Sequence, residues 1–252
     1  MTLPLNGKCA LITGSSRGVG RAAAKLFAAQ GAKVILHANK NIDDAQAVAD
    51  DIGERALGVL QADLSCAGKA TEMFDKADKL AHGKIDVVVN NAGIYLANCL
   101  IDTDADWGAT WQQLLQVNLL SVADLCRAAV NAFQTRGGGS LINIASRAGY
   151  RGDDGDHSAY AATKGAVLAL TKTIARAYGK DQVYAYALAP GWIDTRMAPQ
   201  NAAGLAAAKS EIPIGRMAAP EEVAALCAFL ASGACASATG SCIDVNGASY
   251  VR

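Results

Sequence analysis

The stretch that most constrains the fold is a glycine-bearing turn between an apolar strand and an alanine-rich helix. Ala10, Leu11, Ile12 and Thr13 are apolar or β-branched, and Gly14-Ser15-Ser16-Arg17-Gly18-Val19-Gly20 follows them. Arg21-Ala22-Ala23-Ala24-Lys25-Leu26-Phe27 then opens a helix. Gly14 allows a tight turn, Gly18 lets the main chain approach a ligand, and Gly20 lets helix and strand pack closely. The helix N-terminus offers unpaired N–H groups and a partial positive charge, which suits a pyrophosphate. An empty glycine turn is the plain alternative. The strand before and the helix after supply the context that a dinucleotide loop needs. Gly14, Ser16, Arg17, Gly18, Val19 and Gly20 are therefore the expected cofactor contacts here.

The same alternation continues down the chain. Short apolar or β-branched runs predict strands at 9–13, 33–36, 57–61, 87–90, 140–144, 183–188 and 242–245. Helical patterns lie between them, as at 20–30 and 114–133. Such βαβ repetition implies an α/β fold: a single-domain, Rossmann-type doubly wound parallel sheet of about seven strands with helices on both faces. Val87-Val88-Val89 is apolar throughout, as a strand buried on both sides must be. Ligands of such sheets bind at the carboxyl ends of the strands, so functional motifs should follow strands.

Composition narrows the function. All 252 residues fit one domain, with 52% apolar and 18% charged residues and no linker tract. A net charge of zero argues against a nucleic-acid or membrane-surface partner. The seven cysteines form no C-x-x-C pair and read as small buried hydrophobes in a reducing compartment. No apolar run is long enough to span a bilayer and no signal peptide is evident, so the cytoplasm is the default location.

Val34-Ile35-Leu36 runs into His37-Ala38-Asn39-Lys40 with no acid until Asp43. An acid after the second strand would bond an NAD ribose. Arg17 and Lys40 instead suit a 2′-phosphate, with Asn39 or Ser16 adding hydrogen bonds, so NADP(H) is expected and NAD(H) is the alternative.

Later in the chain, Ser158-Ala159-Tyr160-Ala161-Ala162-Thr163-Lys164 opens a helical pattern. Tyr160 and Lys164 are four apart and share one helix face. A nearby ammonium favours the phenolate, which would let the tyrosine exchange a proton with an alcohol or carbonyl oxygen. Ser146 ends the strand Leu141-Ile142-Asn143-Ile144 and could bond that oxygen; Ser140, Ser158 and Thr163 compete for the role.

With the glycine loop, these residues resemble the short-chain dehydrogenase/reductase family from Lys8 to Gly247, and are similar to its 3-oxoacyl-carrier-protein reductases. The resemblance selects Ser146 and implies a catalytic set of Asn118, Ser146, Tyr160 and Lys164. It implies that Asn118 bends its helix and holds a water in a proton relay, and that Lys164 also holds the nicotinamide ribose. Asp63, with Leu64 beside it, matches the adenine position. Asn91, Ala92 and Gly93 match the border of the adenosine ribose, and Asn90 a sheet brace. Pro190 and Gly191 match the family turn, with Ile193 and Thr195 meeting the nicotinamide carboxamide.

The implied activity is hydride transfer between NADP(H) and a small-molecule carbonyl or secondary alcohol. A non-catalytic NADP-binding sensor is the alternative from another class. Residues 195–215 suit a substrate lid, and Trp192, Tyr150 and Met197 could line the pocket. The acid-rich loop 151–157 departs from the family; its carboxylates read as solvated, with no metal site, and would make an anionic substrate less attractive if they faced the pocket. Carrier docking would need basic surface residues such as Arg136 or Arg176. The segments 239–247 and 221–231 are expected to form subunit contacts in a homodimer or homotetramer.

Overall fold

The computed structural model describes residues 3–101 and 103–252. Seven strands form one sheet: β1 (Cys9–Ile12), β2 (Lys33–Ala38), β3 (Ala56–Gln61), β4 (Val87–Asn90), β5 (Gly139–Ile144), β6 (Val183–Pro190) and β7 (Cys242–Val245). Their order is β3-β2-β1-β4-β5-β6-β7, and every pairing is parallel. The order reverses between β1 and β4, which opens a crevice at their carboxyl ends.

Alternation along each strand builds two cores. Leu11, Ile35, Val88, Leu141 and Ala185 face one side, under α3 (Lys69–Leu80), α5 (Ser121–Arg136) and α7 (Ser158–Tyr178). Ile12, Leu36, Val89, Ile142 and Leu188 face the other, under α1 (Gly18–Ala29), α2 (Ile42–Ile52) and α9 (Pro220–Ala231). Phe133 and Phe27 are fully buried on the two sides, a contribution of about 1.5–3 kcal/mol each. A third, small cluster of Ala198, Ile212 and Met217 lies under α8 (Ala202–Ser210), with Trp192 and Leu205 against it.

Three expectations change. The helical pattern 114–133 is not one helix: α4 (Asp104–Leu115) passes into a π-helical turn, Gln116–Leu120, before α5 begins. The cause is Asn118, whose buried amide turns away to bond the main chain at Ile94. Strands β2 and β6 run two residues further than their apolar patterns, because His37 and Pro190 continue the ladders. The cysteines also divide: Cys9, Cys126 and Cys227 are buried, whereas Cys66 is exposed and Cys99, Cys235 and Cys242 are half-buried. Among the described residues, no helix is long and apolar enough to cross a membrane.

Candidate active site

The turn after β1 is held from three directions. The Thr13 hydroxyl accepts from the main-chain N–H groups of Asn91 and Ala92, each at 2.9 Å. The Asn91 amide donates back to the Thr13 and Gly14 carbonyls at 2.8 and 3.2 Å. His37 Nδ1 accepts from the Gly14 N–H at 3.2 Å, and its Nε2 pairs with the Ala62 carbonyl at 3.0 Å. Those partners fix the neutral tautomer, and burial lowers the His37 pKa. At Gly20 an added Cβ would collide with the Gly14 carbonyl and lie 2.6 Å from Asn91 Nδ2, so only glycine lets α1 start here. Its N-terminus has no side-chain cap. The first N–H groups of α1 are thus left for an anion, which is what a pyrophosphate needs.

Asn39 and Asp63, expected on opposite ends of the adenosine, are brought together: the Asn39 amide donates to Asp63 Oδ1 at 3.1 Å. That oxygen also accepts from the Ser65 hydroxyl and N–H, and these bonds hold the Asp63 carboxyl below its usual range. Leu64 is buried beside it. Lys40 and Arg17 are exposed. A small cleft joins Ser16 and Arg17 to Arg21 and Arg196, with Asp44 and Asp51 on its wall. Arg21 and Arg196 were missed because nothing in their local sequence points to the cleft. Asp51 is ion-paired to Lys25 at 2.7 Å.

After β4, Asn90 braces the sheet as expected: its amide donates to Asn143 Oδ1 at 2.8 Å. Asn143 passes the chain on to the Thr171 hydroxyl at 2.9 Å. Asn118 Oδ1 accepts from the Ile94 N–H and its Nδ2 donates to the Ile94 carbonyl, both at 2.9 Å. A Cβ placed on Gly93 would lie 3.3 Å from Asn118 Oδ1 and 3.6 Å from Lys164 Nζ, so both groups face one point.

Ser146, Tyr160 and Lys164 converge at the end of β5. Short helix α6 (Ala148–Arg151) lies directly on α7: a Cβ at Gly149 would meet the Lys164 carbonyl carbon at 2.7 Å. Gly149 was missed because its role is a close approach between segments, not a local turn. This contact brings the Ser146 hydroxyl near the Tyr160 phenol, close enough to pull its pKa down, while that hydroxyl donates to the Pro190 carbonyl at 3.5 Å. Lys164 Nζ donates to the Ile144 carbonyl at 2.8 Å and lies 5.7 Å from the Tyr160 ring centre.

The expected lowering of the phenol is not what the protein alone displays. Burial pushes Tyr160 up to about 12; Ser146 pulls down and the Asp153 charge pushes further up. Burial likewise brings Lys164 down to about 8. The phenol is consequently protonated at neutral pH.

The turn after β6 closes the site. A Cβ on Gly18 would lie 3.2 Å from the Thr195 methyl, so Thr195 abuts the glycine loop. Ile193 forms a β-bridge with Ala218. Pro190 accepts from the Arg147 N–H, and Gly191 packs on Asn246. Buried Arg147 binds Glu211, at the end of α8, at 2.9 Å, tying the 195–215 segment to the residue after Ser146. Of the suggested pocket residues, Trp192 meets Tyr95 edge-on at 6.3 Å, and Met197 is exposed. Tyr150 instead packs on Tyr250 and under the Arg252 guanidinium.

Comparison with known proteins agrees with this geometry. Residues 14–248 match a family described as enoyl-(acyl carrier protein) reductase. The chain is 36% identical over 249 residues to the 3-oxoacyl-[acyl-carrier-protein] reductase FabG of Vibrio cholerae, covering 98% of this chain and 99% of that one. It is 35% identical to the enzyme of the same name from Escherichia coli K12, covering 97% and 98%. A short-chain type dehydrogenase/reductase from Mycobacterium marinum superposes with a TM-score of 0.90 at 33% identity, covering 100% and 98%.

Proposed function

The chain belongs to the short-chain dehydrogenase/reductase family and is a nicotinamide-dependent oxidoreductase; we propose that it is an NADP(H)-dependent reductase of a ketone carbonyl. The observation that carries the reading is the convergence of Ser146, Tyr160 and Lys164 at the end of β5; the names of the relatives, both reductases, favour the reductive direction. A reductase needs a proton donor at the nascent alkoxide, and the Tyr160 phenol is one.

The glycine loop, with its uncapped α1 N-terminus, holds the pyrophosphate through Gly14, Gly18, Val19 and Gly20. Ser16, Arg17, Asn39 and Lys40 hold the 2′-phosphate end, joined by Arg21 and Arg196 from the cleft. Asp63 and Leu64 border the adenine, and Asn91, Ala92 and Gly93 the ribose. Pro190, Gly191, Ile193 and Thr195 border the nicotinamide. The bound dinucleotide supplies the hydride.

Ser146 orients the carbonyl oxygen and stabilises the charge that develops on it. Tyr160 gives that oxygen its proton, worth ~10²–10⁴-fold. Lys164 favours the phenolate left behind and holds the cofactor ribose. Asn118 bonds Ile94 through its amide and shapes the π-turn; the family resemblance gives it the water of the proton relay to Lys164. The 195–215 segment, with α8, is the lid; the Arg147–Glu211 pair latches it.

The relatives' names point to 3-oxoacyl thioesters as the substrate class. Carrier docking through Arg136 lacks support, because Asp78 holds that guanidinium with two bonds at 2.6 and 2.8 Å. A second reading, reduction of free neutral ketones, follows from the same observation. We expect a homodimer or homotetramer in the cytoplasm, built through α9 and β7. Initial rates with NADPH and NADH on ethyl 3-oxobutanoate test the proposal. Turnover faster with NADPH is expected; cofactor binding without turnover of any ketone would favour a sensor.

A further inference from the structure

One wall of the catalytic crevice is made of residues that the activity above does not use. The Tyr95 ring meets the catalytic Tyr160 ring edge-on, with centres 4.7 Å apart. His157 stacks flat on Tyr95 at 3.9 Å and 3°. The Tyr95 hydroxyl donates to Asp153 Oδ2 at 3.5 Å. Asp154 faces outward and pins His157 through Nδ1 at 2.6 Å. The loop 151–157 is thereby divided: Asp154 and Asp156 are exposed, while Asp153 is half-buried and turned toward the tyrosines.

The Asp153 charge reaches the reacting phenol, since it is one of the causes that raise Tyr160. Burial holds the Asp153 carboxyl above its usual range, with the Asp154 charge adding to the rise, while His157 and Arg151 offset part of it; Lys164 is turned away to the Ile144 carbonyl.

We propose that Asp153, aimed by Tyr95 and His157, makes this enzyme select neutral carbonyl substrates and reject free 3-oxo carboxylates. The inference rests on the reductase reading and deepens it. A carboxylate one carbon from the reacting ketone would approach Asp153, and like charges repel. An ester or thioester at the same position carries no charge and meets only the aromatic wall. Tyr95 comes from the segment after β4, and Asp153 and His157 from the loop before α7.

The test compares ethyl 3-oxobutanoate with 3-oxobutanoate as substrates, with NADPH saturating. Wild type should turn over the ester and favour it strongly in kcat/KM. Asp153→Asn should raise the acid-to-ester ratio of kcat/KM about tenfold. Tyr95→Phe, which releases the carboxylate without emptying the wall, should move the ratio in the same direction. Asp156→Asn, on the same loop but exposed, should leave the ratio unmoved. An acid-to-ester ratio unchanged in Asp153→Asn, with the ester still reduced, contradicts this inference and spares the reductase reading. An equal change in Asp156→Asn also contradicts it, because loop charge in general would then be responsible. Wild type inert on both substrates contradicts both.

Discussion

The turn after β1 and the loop before α7 lie at the same edge of the sheet and are built in opposite ways. The first is defined by what it lacks: no side chain at Gly20, where the Gly14 carbonyl leaves no room, and no cap on α1. The second is defined by what its side chains touch: Asp153 and His157 gripping Tyr95, while a Cβ on Gly155 would meet nothing within 4 Å. Main-chain geometry suits a ligand part common to all reactions, the pyrophosphate. Side-chain placement suits the part that differs, the substrate.

The largest expected effect tests whether side chains carry the chemistry. Ser146→Ala should lower kcat ~10²–10³-fold, the loss typical of one donor to a developing oxyanion, with NADPH affinity unchanged in a fluorescence titration. Next, Gly20→Ala should destabilise by about 1–3 kcal/mol in urea unfolding. Gly155→Ala should stay within about 0.5 kcal/mol. Equal costs at the two glycines would erase the contrast drawn here.

Arg196→Ala sharpens the boundary between the two regions, because Arg196 follows the nicotinamide turn yet lines the cleft with Arg17. It should raise KM for NADPH about tenfold, as loss of a charge-assisted hydrogen bond would, and leave NADH unchanged. The smallest effect concerns His37. Its folded pKa is below the ordinary 6.5 because burial opposes the charge. The unfolded chain therefore takes up the proton first. His37 contributes stability above pH 6.5 that is lost as pH falls below it. Thermal unfolding between pH 7 and 5 should show this loss, and His37→Gln should flatten it.

Much of this was legible in the sequence, for reasons that can be named. The parallel strands are buried on both sides, so Val87–Asn90 reads as an apolar run and falls where expected. The Tyr160–Lys164 pair is legible because four residues on a helix always share a face. Ser146 needed the family resemblance, since Ser140, Ser158 and Thr163 were equal candidates by type alone. Tyr95 was invisible: only the fold sets it against Tyr160, which lies 65 residues later in the chain. Thr13, His37 and Gly149 were hidden likewise, because each acts through a partner remote in sequence. The pattern 114–133 misled because helical periodicity records which residues are apolar, not where the buried Asn118 amide finds its bonds.

The most direct test of the central claim is a paired measurement on Tyr160→Phe: NADPH affinity by titration, and turnover of ethyl 3-oxobutanoate by NADPH absorbance, on one sample. The account predicts affinity within about threefold of wild type and turnover lower by ~10²-fold or more. Wild-type turnover in that variant would contradict it, because the proton would then come from a group other than the phenol beside Ser146.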